Sequence, residues 1–535
     1  MKNNNGVSEN STKNLLKQGT ILMIASIVVR MMGLVYRIPL TNLWGDAGNG
    51  TYGDAYQVYA LFLIISSISV PTMMSQMIGD RLARREYAAA KKVFRCALIL
   101  VSSLGFICML IMFFANQWIA EAFFSNPDAA LVIRVLSPTV FIVSVMSVLR
   151  GYFNGTGNMR PTAISQLIEG FVNAVVSVVM ALLLYSVSLS WSVAGGITGT
   201  GVGALAGLLF LFFGFLTFCR RSAVGAARAG EAREDSRGIY RQMAILMIPI
   251  ILSSTMFNLK GLADSILFTK LMQAKGTETE VIQAIRGIYT QKFSVFLNVP
   301  IAFGDSLATA VVPSVASCIA LKQYAEMKEK IQSVLKAVLL ITIPASVGLG
   351  VLGKPILHMF FSASPIGGEM FWAGAFSAVF YAVNYVASAI LQGMNRSHIP
   401  MRNGLICVAA GTALNVFFIW VLNLGAYTLP VSSLTFSFLM MLCNMLSVQK
   451  YCRMRLHLGQ LVSKPLFCSL LMGLLCFIFY VLLFAISGSN ALAVLGAILI
   501  GVAVYFFAMV NTNGITDKDM KELPFGKALR FFRIV

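Results

Sequence analysis

Apolar runs of about twenty residues recur along the chain, parted by short polar links. The first is centred near Val28 and the last near Ile498, and about fourteen can be placed in all. A run of that length matches the hydrocarbon thickness of a bilayer when it is helical, because a helix closes all of its own backbone hydrogen bonds. The pattern predicts an all-α membrane protein with about fourteen transmembrane helices. The boundaries are blurred where charges interrupt the runs, around the first two helices and around those near Leu252 and Val299.

The links alternate in charge. If the first helix starts inside, the inside segments hold 32 of the 41 Lys and Arg residues. Among them are Arg81 to Arg95, Arg220 to Arg241 and the carboxyl tail, whereas the links near Ser190, Leu424 and Ser489 hold none. This is the positive-inside pattern, and one span missed or invented would destroy it. It predicts a multi-pass protein of the bacterial cytoplasmic membrane with both termini in the cytoplasm.

Composition agrees. Hydrophobic residues make up 58% and charged residues only 12%, where soluble domains carry about 25% charged residues. The formal charge of +20 would fit nucleic acid, but its confinement to alternate links assigns it to topology and lipid headgroups instead. The nine cysteines and three histidines form no metal or disulfide spacing. No metal, cofactor or nucleic acid is expected.

Residues 50–94 and 287–331 overlie without gaps at an offset of 237, with ten of 45 positions identical, among them Gly50/Gly287 and Lys91/Lys328. Pro71 and Pro313 fall out of register, which points to an indel inside the helices. A second echo pairs Asn154–Pro161 with Asn395–Pro400. Helices one to six would then repeat as seven to twelve in the same orientation, with a site between the halves. The expected organisation is an N-lobe over 1–220, a basic linker over 221–241, a C-lobe over 242–450, two further helices over 451–512 and a basic tail over 513–535.

Ionisable groups inside spans are costly and tend to face a cavity or one another. Arg30 and Arg37 are seven residues apart on one face of helix one; Lys260 and Asp264 are four apart on helix seven. Lys292 opens helix eight, which also carries Asp305; Glu169 lies on helix five and Asp54 begins helix two. Arg30, Arg37, Lys260 and Lys292 suit an anion, and Asp54, Glu169, Asp264 and Asp305 are candidates for a coupling Na+ or H+. Structural readings stand beside these. Arg37 is placed to snorkel to headgroups, Asp54 and Lys292 to be interfacial, Lys260 and Asp264 to neutralise each other, and Glu169 to serve packing.

The segment Arg150-Gly-Tyr-Phe-Asn-Gly-Thr-Gly-Asn-Met-Arg-Pro161 through Glu169 resembles the helix 4–5 region of the multidrug/oligosaccharidyl-lipid/polysaccharide (MOP) exporter superfamily. Lys17-Gln-Gly-Thr, Arg30-Met-Met-Gly33, Tyr56-Gln-Val-Tyr-Ala-Leu-Phe-Leu and Leu391-Gln-Gly-Met-Asn395 are similar to its branch of stage V sporulation protein B and lipid II flippases. The resemblance implies two six-helix lobes working by alternating access. It implies a polyprenyl-diphosphate-linked sugar as cargo, membrane lipids as neighbours and a cell-wall synthesis complex as partner. Arg30 and Lys292 match basic positions of that branch. Tyr36 stands where its second helix-one Arg would be, with Arg37 one residue later, and no basic residue of helix two lies within 65–74. The expected function is flipping of a lipid II-like precursor to the outer leaflet, without covalent chemistry. A cation-coupled multidrug exporter of the same superfamily and a membrane enzyme acting on lipid-linked sugars stay as alternatives. The second lacks any HExxH, GxSxG or DxD pattern on the longest outer link, Lys270 to Arg286.

Overall fold

A computed structural model describes residues 5–221, 235–320, 322–361, 364–454, 458–512 and 514–515. Among these, regular structure is helical throughout. Helices α1 to α7 span Asn5–Leu63, Val70–Ala83, Tyr87–Phe114, Asn116–Phe124, Asp128–Gly155, Arg160–Tyr185 and Leu189–Arg221. Helices α8 to α12 span Ser236–Ala274, Thr279–Gly287, Ser294–Ala320, Tyr324–Phe360 and Glu369–Gly374. Helices α13 to α17 span Ser377–Gly393, His398–Trp420, Thr428–Cys452, Leu458–Ser487 and Asn490–Asn511. Most of the expected basic linker and nearly all of the basic tail lie outside the described residues.

Eleven helical stretches among the described residues are long and apolar enough to cross a membrane, fewer than the fourteen expected. The first of the eleven, Val28–Leu82, holds two helices, because α1 breaks at Gly45 (φ 64°, ψ −173°). That left-handed φ favours glycine, which has no Cβ to clash. The break orphans carbonyls at the end of the first half, and Asn49 Nδ2 donates to those of Thr41 (3.0 Å) and Gly45. Helices α8 and α10, of 39 and 27 residues, are not among the eleven.

The chain divides into two compact units, Met1–Gly287 and Ile288–Val535. The border falls at the end of α9 because α9 packs on the helix that follows Gly45. A Cβ on Gly50 would overlap the carbonyl of Gln283, and one on Gly287 would overlap that of Asp46. The 237-residue offset makes Asp46 equivalent to Gln283 and Gly50 to Gly287. The contact is therefore reciprocal: two repeat-equivalent segments cross through their own glycines, as in an isologous interface.

The repeat register also holds at the far end of these segments. Arg85 and Lys322, equivalent at the same offset, both take a left-handed φ, 60° and 58°, which is uncommon outside glycine. Glu86 N donates to Arg81 O, and Gln323 N to Cys318 O, both at 2.8 Å. The offset is thus the same before and after the misaligned prolines, so no net indel separates the two stretches. Each instead holds one π-helical turn, Ile64–Ile68 and Ile288–Phe293, at non-equivalent places. The second echo is adjusted by three residues. Gly157 (φ 78°) and Asn395 (φ 58°) occupy the same left-handed cap, with Asn158 N bonded to Phe153 O and Arg396 N to Leu391 O. Gly157, and not Asn154, is the counterpart of Asn395.

Two apolar cores form among the described residues of the first unit. One joins Met73 and Ile78 of α2 to Phe94, Leu149 and Tyr152. The other joins Trp44, Tyr52 and Tyr59 of α1 to Phe124, Val132 and Leu136. In the second unit α10, α11, α13 and α15 meet through Val315, Leu335, Val386, Ile390 and Val448. Large apolar side chains also cover the outside, among them Leu183, Phe213, Phe467 and Leu499. Lipid tolerates that surface where water would not.

Candidate functional site

The glycine crossing and the break at Gly45 each hold a charged side chain away from the surface. Beside the glycine crossing, Arg286 Nη2 lies 2.8 Å from Asp54 Oδ2, and both residues are 1% exposed. Asn126 Nδ2 donates to the same carboxylate oxygen (3.0 Å) and to Thr51 Oγ1 (3.1 Å), and the guanidinium lies 5.3 Å from the Phe124 ring centre. Burial of two charges is offset here by hydrogen bonds and by the facing ring. Asp54 is therefore not interfacial. Arg286, at the end of the expected outer link Lys270 to Arg286, is sealed inside as the penultimate residue of α9.

The turn at Gly45 brings Arg37 back against the next helix. Its guanidinium lies 6.0 Å and 5.7 Å from the ring centres of Tyr52 and Tyr56. Trp44, Tyr52, Tyr56 and Tyr59 form a continuous aromatic ladder below it. Arg37 is half-buried among these rings, so it does not snorkel to headgroups. Arg30, two turns away on the same helix face, is exposed and not enclosed within the first unit. Val29 and Met32 beside it pack toward Gly170 of α6.

Lys260 and Asp264 pair one turn apart on α8, at 2% and 7% side-chain exposure. Glu169 accepts a hydrogen bond from Arg150 Nη2 at 2.6 Å, and Arg150 also donates to Ser165 Oγ at 2.8 Å. That bond ties the end of α5 to α6 around the Arg150–Pro161 motif. In the second unit Lys292 sits in the π-helical turn and is 1% exposed. Its ammonium donates to the Ser364 carbonyl at 2.6 Å and lies 5.6 Å from the Phe361 ring centre. Lys292 is thus interior and not interfacial, and a π turn inside a helix is a frequent mark of a functional position. Asp305 is half-buried on α10.

The expected residues are thus distributed among separate settings. Asp54, Arg37, Lys260, Asp264 and Glu169 lie within the first unit, each against a partner, and Lys292 and Asp305 lie in the second. Sequence reasoning missed Arg286, Asn126 and the tyrosine ladder. The one signal for Arg286 was its place next to Gly287, the repeat counterpart of Gly50. Among the described residues no three His, Cys, Asp or Glu side chains gather as metal ligands.

Membrane-length helices with charges paired inside them give a fold of the transporter type. It superposes on a lipid II flippase MurJ in an inward closed conformation with a TM-score of 0.65 over 91% of this chain and 98% of that one, at 14% identity. It superposes on an inward-facing multidrug resistance MATE transporter of the MOP superfamily with a TM-score of 0.64 over 80% and 98%, again at 14% identity. The polysaccharide biosynthesis protein family matches residues 15–319, more than half of the chain, and the MatE family matches 290–417. The chain therefore belongs to the polysaccharide biosynthesis protein family, within the MOP superfamily. Relatives in Bacillus subtilis include the membrane protein YabM (26% identical; 96% of this chain, 95% of YabM) and the lipid II flippase MurJ (24%; 80% and 82%). Stage V sporulation protein B of the same organism is 24% identical over 75% of this chain and 77% of its own length.

Proposed function

We propose that this protein flips a polyprenyl-diphosphate-linked cell-wall or polysaccharide precursor from the cytoplasmic to the outer leaflet by alternating access. In this reading both termini lie in the cytoplasm, the orientation that the loop charges favour. The observation that carries the reading is the burial of Lys292 in the π-helical turn that leads into α10. A cation buried there is costly even against the Ser364 carbonyl, and such groups commonly mark a substrate pathway. Relatives named as a lipid II flippase and as a sporulation protein of the same family support a lipid-linked sugar as cargo.

The proposed diphosphate contacts are Lys292, Arg30, Arg37 and Lys260. Guanidinium and ammonium groups bind phosphate oxygens through charge-assisted hydrogen bonds. Lys260 would do so in competition with Asp264, its present partner. Asp54, Glu169, Asp264 and Asp305 are the candidates for a coupling Na+ or H+; the carboxylates of Asp54, Glu169 and Asp264 sit on Arg286, Arg150 and Lys260, so an ion would compete with those cations. The membrane potential can also bias the cycle, at about 2.3 kcal/mol per charge per 100 mV. The product would pass to a cell-wall synthesis complex.

Mass spectrometry of the lipid that copurifies with the full chain tests the cargo. A polyprenyl diphosphate bearing sugar is the expected species; phospholipid alone would count against it. The MatE match over 290–417 favours a second reading, export of cationic drugs coupled to a cation. Lowered drug susceptibility on expression would support that reading.

A further inference from the structure

We propose that a crevice in the second unit binds an anionic glycerophospholipid of the outer leaflet, of the phosphatidylglycerol type. The crevice encloses about 700 Å³ between α11 and the hairpin of α16 and α17. Its walls are apolar, with Leu474, Phe477 and Phe484 from α16 exposed along it. At its α11 edge stand Lys354 and His358, one turn apart on the same helical face, and both are exposed. Among the described residues neither has a hydrogen-bond or ion-pair partner. Two unspent nitrogen groups over a greasy trough match a phosphate head on an acyl chain.

Three further features fit a lipid. Pro355 lies between the two groups and has no N–H, so the carbonyl of Val351, also on the wall, lacks its i+4 amide donor. A headgroup hydroxyl can donate there. Trp372, 78% exposed, stands at the rim as interfacial tryptophans do. The frame is preformed: Tyr480 Oη donates to Asn490 Oδ1 (3.0 Å), and Asn490 Nδ2 donates to the Pro355 carbonyl (3.0 Å). The outer leaflet follows from the orientation proposed above, since these groups lie at the end of α11 remote from Lys328, Lys330 and Lys336. The preference for an anionic lipid does not depend on that orientation or on the cargo.

The full chain, reconstituted in nanodiscs, is probed with dibrominated phosphatidylglycerol or dibrominated phosphatidylcholine at equal mole fraction. The quenching that vanishes in Trp372→Phe reports the crevice. An anionic preference of about five-fold is expected, the worth of one cation at a lipid surface. It should disappear in the Lys354→Gln/His358→Gln variant, while quenching of the other tryptophans stays unchanged. Equal quenching by both lipids, or a preference that survives the double substitution, overturns the proposal. In asymmetric vesicles, quenching from the leaflet that faces the termini would overturn the outer-leaflet placement and leave the anionic lipid preference standing.

Discussion

Asp54 and Arg286, 232 positions apart in the chain, meet as a fully buried ion pair at 2.8 Å beside the crossing of Gly50 and Gly287. The pair sits where two repeat-equivalent segments touch, so it fastens α9 to the helix after Gly45. Removing one partner leaves a buried charge uncompensated, at a cost of about 3–5 kcal/mol, whereas replacing both with apolar groups can be nearly neutral. Arg286→Met is expected to lower the thermal unfolding midpoint of the purified full chain sharply, and Asp54→Leu/Arg286→Met to recover most of it. Additive losses in the double variant would show that the two do not act as a unit.

The glycine crossing makes a separate prediction. A methyl at Gly50 or Gly287 meets a backbone carbonyl, which cannot swing away as a side chain end can. Gly50→Ala and Gly287→Ala should each destabilise by about 1–3 kcal/mol. Gly350, also helical, has nothing within 4 Å of its added Cβ. Gly350→Ala should be neutral or gain up to about 1 kcal/mol from helix propensity. Thermal unfolding of the three variants side by side decides it.

Lys260 has two proposed roles, partner of Asp264 and contact of the diphosphate. Lys260→Met alone should unfold more easily, because Asp264 is left buried without its ion-pair partner. Lys260→Met/Asp264→Leu should regain stability yet flip lipid-linked sugar more slowly. Full transport in that double variant would reduce Lys260 to a structural residue.

Glu169 accepts from Arg150 at 2.6 Å, inside the motif that carries the family resemblance. If its role is to hold Arg150, Glu169→Gln should lower stability and leave the Na+ and pH dependence of transport unchanged. A lost ion dependence would assign Glu169 to the coupling site.

The membrane character and the parallel repeat were legible in the sequence because each rests on many residues. Span length, loop charge and the 237-residue offset are statistical signals, and the left-handed turns at Arg85 and Lys322 sit where that offset puts them. The partners of the charges were not legible, because they depend on single backbone events. One glycine with a left-handed φ at position 45 turns the chain so that Tyr52 and Tyr56 face Arg37. A nine-residue helix, Thr279–Gly287, reads as a polar outer link, since Glu278 and Glu280 dominate its start. Yet its other face carries Ile282, Arg286 and Gly287 inward. The helical spacing of Arg30 and Arg37 was right as geometry, but it does not say that one is exposed and the other caged by rings.

The central claim is that cations set within the helices receive a phosphorylated lipid head. It is tested most directly by flipping of a fluorescent polyprenyl-diphosphate sugar in proteoliposomes, comparing the unaltered chain with Lys292→Ala and Arg30→Ala at matched thermal stability. A loss of flipping in both variants is the predicted result. Unaltered flipping in both would contradict the account.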